Sequence, residues 1–113
     1  MFLKMMVDRV WEFRGSNEIE ALLPLLDAGA LIYGSKGTHE IEKQLRRQWH
    51  TSDGVGVELL EETLELFQSG CVTYTIQYTE SSGLKSQVEE EMSFSMNGLL
   101  QSMRVLSTIV ECQ

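Results

Sequence analysis

The sequence has little positive charge and a single proline. Its 113 residues carry 9 lysines and arginines against 17 aspartates and glutamates, which gives a net charge of -8. Nucleic-acid binding rests on clustered Lys and Arg, so this balance argues against a nucleic-acid partner. One proline and 42% hydrophobic residues indicate a folded chain rather than a disordered one. The length accommodates one core, so we expect a single domain over residues 1–113.

Long hydrophobic runs are also lacking. The opening "MFLKMMVDRVWEF" is apolar, but Asp8 and Arg9 interrupt it too early for the core of a signal peptide. No run approaches the length that crosses a membrane. We therefore expect a cytoplasmic protein without a membrane partner.

Cysteine and histidine are too sparse to indicate a metal site. Cys71 and Cys112 lack the CxxC spacing, which favours two reduced thiols and leaves a disulfide open. His39 and His50 form no recognisable ligand pattern with them. We assign neither a metal nor a cofactor.

Three helices are predicted in the first half of the chain. Residues 2–14 place apolar side chains at helical spacing. Asn17, with a glutamate three residues on, resembles a capping box for a second helix, which Pro24 should kink or shorten. A short strand follows at 30–34, and Thr38 is a candidate N-cap for the third helix.

The second half is strand-like. From Val57 the hydrophobic period changes to two, and Gly-containing turns separate four long segments: 57–67, 71–80, 85–96 and 99–110. Helices followed by antiparallel strands indicate an α+β fold, with three N-terminal helices packed on a curved, mostly antiparallel sheet.

The register of the strand at 57–67 has two interpretations. A two-residue turn at Ser69-Gly70 pairs Glu65 with Tyr74, whereas a three-residue loop pairs Leu64 with it. We favour the longer loop, which also turns Glu62 inward. That register buries three leucines: Leu60, Leu64 and Leu66.

The segment "VEEEMSFS" places one carboxylate among apolar residues. Alternation puts Val88, Glu90, Met92 and Phe94 on one face of a strand. A carboxyl in apolar surroundings can stay protonated and donate a hydrogen bond, or accept a proton, which makes Glu90 the candidate catalytic residue. Alternatively, it pairs with an arginine or the Trp49 indole, or a bulge returns it to solvent.

The order of elements resembles the nuclear transport factor 2-like superfamily, which includes the SnoaL-like and ketosteroid-isomerase-like proteins. "EIEALLPLLDAGALIYGSKGTHEIEKQL" looks like its recurring helix, strand and helix segment, and "VEEEMSFSMNGLLQSMRVLS" is similar in register to the last strands of ketosteroid isomerases. The resemblance implies a cone-shaped fold with a pocket between sheet and helices. In this register Glu90 takes the place of the isomerase's oxyanion-hole acid. Gly34 and Val10 stand where the base and the tyrosine would be, so ketosteroid isomerisation is not expected.

Two functions are therefore carried forward. The first is an apolar cone-shaped pocket for a small apolar or weakly polar ligand, with Glu90 as polar anchor or as acid or base, and with Glu62 as its only candidate acidic partner. Its candidate lining residues are Trp11, Tyr33, Trp49, Glu62, Tyr74, Tyr78, Met92 and Met103. The second is a non-catalytic dimeric binding or assembly module, in which Met92, Phe94 and Met103 fill the cone.

The resemblance also implies a homodimer through the outer face of the sheet. The predicted outer-face residues are Thr73, Thr75, Gln77, Ser93, Ser95, Arg104, Leu106 and Val110.

Overall fold

The computed structural model describes residues 2–51 and 54–110, in which three helices pack on a five-stranded sheet. The helices are α1 (Phe2–Ser16), α2 (Ile19–Leu22, continued by a 3-10 turn at Leu23–Leu25) and α3 (Thr38–Gln48). The strands are β1 (Leu26–Ile32), β2 (Gly56–Leu66), β3 (Cys71–Thr79), β4 (Lys85–Phe94) and β5 (Leu100–Val110). Their order is β1-β5-β4-β3-β2, and only β1 and β5 run parallel. The predicted α+β arrangement is confirmed.

Asn17 ends the first helix and does not cap the second, so the predicted capping box is wrong. Its backbone is left-handed, with φ of 58°, and its N–H donates to the Arg14 carbonyl while Glu18 N–H donates to Phe13. This pair of bonds is a Schellman motif, in which Asn replaces the usual glycine. Pro24 does shorten α2, as predicted, and the N-cap of α3 is Gly37 instead of Thr38.

Three hairpins are closed in the same way. Each loop has three residues (68–70, 81–83 and 96–98) and ends in a glycine with φ between 80° and 91°. A three-residue hairpin loop commonly needs a left-handed residue in this place, which glycine adopts without a steric penalty. The favoured three-residue loop between β2 and β3 is therefore confirmed, and near it Leu66 pairs with Val72.

A large bulge then changes the register of β2. Four residues, 61–64, lie opposite the single residue Tyr74, and the Thr63 hydroxyl accepts the Thr75 N–H at 2.8 Å. Because the bulge adds three residues, the side chains beyond it exchange faces. Glu62 is consequently exposed, and the prediction that it turns inward is wrong.

The three leucines predicted to be buried in β2 do not all join the core. Leu64 packs against the core, together with Leu59, while Leu66 keeps 40% of its surface exposed. Leu60 is half-buried. Because of the bulge, the β2 side chains that pack against the core differ from those that strict alternation predicts.

The interior is filled mainly by alternate residues of β3, β4 and β5 and by one face of each helix. Val72, Tyr74 and Ile76 of β3 are buried, as alternation predicts. Met92, Phe94 and Met103 are at most 5% exposed, so the deep part of the space between sheet and helices is filled by the chain's own side chains.

A second bulge lies in β5. The strand has one extra residue, Leu106, between the residues that pair with Glu90 and Glu89. As a result Val110 pairs with Ser86, on the same face as Glu90, and its predicted place on the outer face is wrong.

Within the described ranges, no helix is long and apolar enough to cross a membrane. The same residues contain no group of three His, Cys, Asp or Glu side chains placed to hold a metal ion. Cys71 is a free thiol, and Cys112 lies outside the described residues.

Candidate functional site

Glu90 lies at the centre of the inward face of the sheet. It pairs with Tyr74 across β3 and with Val105 across β5, and its side chain is 0% exposed. The alternation of β4 puts it there, and the bulge at Leu106 does not return it to solvent. A buried carboxylate is costly unless hydrogen bonds and an opposite charge compensate it.

Three donors converge on one oxygen of this carboxylate. Glu90 Oε1 accepts hydrogen bonds from the Tyr33 and Tyr74 hydroxyls, both at 2.9 Å, and from Arg14 Nη1 at 3.5 Å. The alternative in which Glu90 pairs with an arginine is therefore the arrangement observed, and that arginine is Arg14.

Arg14 reaches the carboxylate from the last turn of α1. Its guanidinium lies over the rings of Trp11, at 4.8 Å, and Trp49, at 5.3 Å, while Nη2 donates to the Tyr78 hydroxyl at 2.8 Å. Two aromatic faces suit a planar, weakly hydrated cation. The guanidinium is thus fixed from several sides, and 7% of the Arg14 side chain is exposed.

These residues form one connected group. Trp49 Nε1 donates to the Tyr33 hydroxyl at 3.3 Å, and the rings of Trp11 and Tyr74 meet edge to face at 5.7 Å. We call the group the Glu90 cluster. Its members are Trp11, Arg14, Tyr33, Trp49, Tyr74, Tyr78 and Glu90.

Tyr33 occupies a strained backbone position. Its φ is 48° and that of Gly34 is 85°, in a tight turn closed by hydrogen bonds between Ile32 and Ser35. Left-handed backbone costs a bulky residue about 1–3 kcal/mol, and such strain gathers at functional sites. The hydrogen bonds of the Tyr33 hydroxyl with Glu90 and Trp49 offset this backbone strain.

The tyrosines of the cluster are neutral at physiological pH. Burial raises the pKa of Tyr33 and of Tyr74 well above the ordinary value, and the Glu90 carboxylate raises both further. Burial also raises the pKa of Tyr78, and Arg14 partly opposes this. For Arg14, burial disfavours the charge, but the neighbouring Tyr33 and Glu90 outweigh burial and raise its pKa.

A cavity of about 330 Å³ lies against the cluster. Its walls come from α1, from the end of α3 and from the start of β2. It is lined by Trp11, Arg14, Gly15, Trp49, Thr51, Val55, Val57 and Leu59. Arg14 therefore stands between this cavity and Glu90, which does not line it.

Two buried polar atoms of the cluster have no hydrogen-bond partner among the described residues. They are Glu90 Oε2 and the indole N–H of Trp11. Unpartnered buried polar atoms are uncommon and call for a structural or functional reason. Oε2 is thus the atom of Glu90 that has acceptor capacity to spare.

Most predicted site residues come together in this cluster. Trp11, Trp49 and Glu90 meet there with all three tyrosines of the chain. Glu62 is exposed in the β2 bulge, and the buried pair Met92 and Met103 lies in the core away from the cavity lining. The Glu62–Glu90 acidic pair is not formed.

The prediction missed Arg14. It lies four residues after Val10 and seven after Val7, both buried, so helical spacing places it on the inward face of α1. Together with an isolated glutamate on an apolar strand face, this position is the signal that could have paired the two charges.

A larger groove lies at the other end of α1. Its volume is about 550 Å³, and it is lined mainly by apolar side chains of α1 and of two hairpins, among them Phe2, Met6, Leu66, Phe67 and Phe94. We call it the N-terminal groove. Neither Arg14 nor Glu90 lines this groove, which makes it an apolar counterpart to the cavity at the Glu90 cluster.

Comparison with solved structures supports the fold. The epoxide hydrolase/cyclase-like enzyme SalBIII of pyran ring formation in salinomycin matches with a TM-score of 0.68 and 14% identity, over 96% of this chain and 95% of that one. Delta 5-3-ketosteroid isomerase from Mycobacterium sp. matches with a TM-score of 0.67 and 12% identity, over 97% and 98% of the two chains. A Mycobacterium tuberculosis protein in complex with estradiol-17beta-hemisuccinate matches with a TM-score of 0.66 and 15% identity, over 94% and 93%.

No family model and no curated protein matches the sequence. At identities of 12 to 15%, these structural matches establish architecture alone. The chain has the nuclear transport factor 2-like fold, as the sequence resemblance implied.

Proposed function

Starting from the nuclear transport factor 2-like fold, we propose that the chain binds a small, weakly polar molecule in the cavity against the Glu90 cluster. The observation that carries this proposal is Arg14, which is held between two tryptophans and lines that cavity. Apolar walls with a few fixed polar groups are the usual form of a small-molecule site. Here Val55, Val57 and Leu59 supply apolar wall.

The cluster indicates the chemistry of the ligand. A guanidinium has five N–H donors, and Arg14 directs two of them to Glu90 and Tyr78. The remaining three can serve an acceptor oxygen, while the rings of Trp11 and Trp49 can cover a flat apolar skeleton. We therefore propose a ligand that combines a ring with a carbonyl, phenol or carboxylate oxygen. The estradiol hemisuccinate of one structural neighbour has this combination.

The proposed role of Glu90 in binding is to position Arg14. It is fully buried, and its contact with the cavity is made through the guanidinium. A catalytic role, as acid or base toward an epoxide or an enolisable ketone, requires Arg14 to move aside and present Oε2 to the ligand. Glu90 Oε2 has no hydrogen-bond partner among the described residues, and this free acceptor supports testing for catalysis as well as for binding.

The binding proposal is tested by thermal shift with ring compounds that carry one oxygen acceptor, including estradiol hemisuccinate. A ligand at a hundred times its dissociation constant adds about 2.7 kcal/mol to the stability of the folded state. We expect Val57→Trp, which fills the cavity, to abolish the shift. The matched control is Leu66→Trp in the N-terminal groove, since the two side chains are similarly exposed, at 39% and 40%.

A shift that Leu66→Trp abolishes and Val57→Trp does not would move the ligand to the N-terminal groove and overturn the proposal. Turnover is tested separately, by chromatography of a bound epoxide or unsaturated ketone incubated with wild type and Glu90→Gln. Product formation that depends on Glu90 establishes the enzymatic version. Binding without product restricts the protein to ligand binding.

A second candidate function is a binding or assembly module without a small ligand. It is favoured by Met92, Phe94 and Met103, which fill the deep part of the cone. This candidate takes precedence if no compound of the panel stabilises the wild type.

A further inference from the structure

The two edges of the sheet differ sharply in how they are protected. The edge strand β2 carries Glu58, Glu61, Glu62 and Glu65 and the bulge at 61–64. Charges and bulges are the devices that keep an edge strand from pairing with another chain. The β2 edge is therefore closed to further strand addition.

The other edge is protected only in part. β1 pairs with β5 up to Met103, and the last hydrogen bond there runs from Tyr33 N–H to the Met103 carbonyl at 2.8 Å. Within the described residues, nothing pairs with that side of β5 beyond this point. Residues 105–110 are all exposed, although β4 pairs with their opposite side.

This open segment is also the least protected by charge. The sequence at 105–110 is VLSTIV, which contains no charged residue in a chain with a net charge of -8. Its four aliphatic side chains are between 39% and 61% exposed. A neutral, β-branched, unpaired edge is a template for pairing with another strand.

We infer that β5 pairs with β5 of a second copy of this chain, antiparallel and about a two-fold axis at Thr108. The two sheets then continue into one ten-stranded sheet. Opposite residues of an antiparallel pair have their side chains on the same face of the sheet. Beyond the bulge, even-numbered residues of β5 lie on one face and odd-numbered residues on the other, so an even residue must pair with an even one and an odd residue with an odd one. An axis at Thr108 meets this condition.

The pairs formed in this register are favourable. Thr108 faces Thr108 of the second copy, and Ser107 faces Ile109. Hydroxyl and aliphatic pairs each contribute modestly to an antiparallel sheet, and none of these pairs sets like charges against each other.

A second copy fits this edge better than an acidic or basic partner, because the edge has no charge for such a partner to recognise. Two chains of charge -8 repel one another, and they do so least where their contact surface is neutral. An isologous strand pair also satisfies the backbone groups of both edges at once. The outer face, by contrast, carries the ion pair of Arg104 with Glu91.

The first test is the molar mass in solution over a concentration series, measured by light scattering and sedimentation. We expect a dimer for the wild type, and a dissociation constant at least about tenfold higher for Thr108→Lys, in which two lysines face each other. Met96→Lys is the matched control, since it adds the same charge at a residue that is 100% exposed on a hairpin tip. A wild-type monomer at all concentrations overturns the inference.

The second test locates the contact and does not depend on the stability of a lysine variant. In a Cys112→Ser background, Thr108→Cys should form an intermolecular disulfide readily, because opposite Cα atoms of a strand pair lie within disulfide distance. Thr75→Cys probes the outer face in the same background. Cross-linking through Thr75→Cys alone assigns the dimer to the outer face and overturns the inference.

Discussion

Glu90 and Met92 are two residues apart on the same face of β4, and both side chains are 0% exposed. They belong to different parts of the interior. Met92 lies in an apolar layer with Phe94 and Met103, where fit depends on volume and shape. Glu90 lies in a polar and aromatic layer, where fit depends on directed hydrogen bonds and on charge. Met92 and Met103 line neither the N-terminal groove nor the cavity at the Glu90 cluster, whereas the layer around Glu90 borders that cavity of about 330 Å³.

One face of the sheet therefore contributes to two kinds of packing. A flexible apolar side chain such as methionine fills irregular space and tolerates substitution. The ion pair of Arg14 with Glu90 must be fully compensated, because each charge left alone in the interior is expensive. The Glu90 cluster is therefore the more specific part of the interior and the more vulnerable to mutation.

The largest expected effect separates these two layers directly. Glu90→Gln keeps the shape of the side chain but leaves Arg14 without its counter-charge, so we expect a loss of about 3 kcal/mol in unfolding free energy. The matched change Met92→Leu conserves volume and should cost less than about 1.5 kcal/mol. Urea unfolding of both variants is the measurement. Equal losses would mean that the charge pair is no more specific than the apolar packing beside it.

A smaller effect concerns alkaline pH. Tyr33 and Tyr74 have raised pKa values in the folded state, so above pH 10 the folded protein keeps protons that the unfolded chain releases. Stability is therefore fully present below pH 10 and falls as pH rises toward the folded pKa values. Each such tyrosine contributes a slope of about -1.4 kcal/mol per pH unit.

Tyr74→Phe should remove one of these contributions. The chain has three tyrosines, and all lie in the Glu90 cluster, so tyrosinate absorbance reports on this cluster alone. Urea unfolding between pH 9 and pH 11 measures the slope. An unchanged slope in Tyr74→Phe would show that this hydroxyl titrates alike in the folded and unfolded states.

The smallest expected effect concerns the stability of the last turn of α1, which carries Arg14. A Cβ added at Gly15 meets no atom within 4 Å, and Gly15 lies inside α1. Gly15→Ala should therefore stabilise the protein by about 0.5–1 kcal/mol through the lower entropy of the unfolded chain. Thermal unfolding measures the gain, and Gly34→Ala, at φ of 85°, is the contrasting change that should destabilise. A loss in Gly15→Ala would indicate that the added methyl disturbs Arg14.

Local sequence pattern was sufficient for the number and order of the main helices and strands, but not for the bounds of β1, which was predicted at 30–34 and lies at Leu26–Ile32. Periods of 3.6 and 2 separate the helices from the strands, and the glycines at 70, 83 and 98 mark the hairpins because only they accept the left-handed backbone easily. Alternation alone also places Glu90 on the inward face, beside Val88 and Met92. These features depend on near neighbours in the chain.

What pattern could not supply depends on distant residues. Asn17 has the residue type of an N-cap, but the packing of α1 and α2 uses its left-handed backbone as a helix terminator. The bulge at 61–64 is likewise decided by pairing with β3, and it determines that Glu62 is exposed. In both places the local sequence allows more than one backbone conformation, and contacts with distant residues determine which one forms.

Alternation along β4 is enough to group Glu90 with Val88, Met92 and Phe94 on the apolar face of a strand. The partners of that carboxylate come from distant parts of the folded chain. Folding brings Arg14 across 76 positions of sequence to a buried partner and closes tryptophan rings on the guanidinium. Strand alternation is a property of neighbouring residues, whereas compensation of a buried charge depends on groups that meet only when the chain is folded.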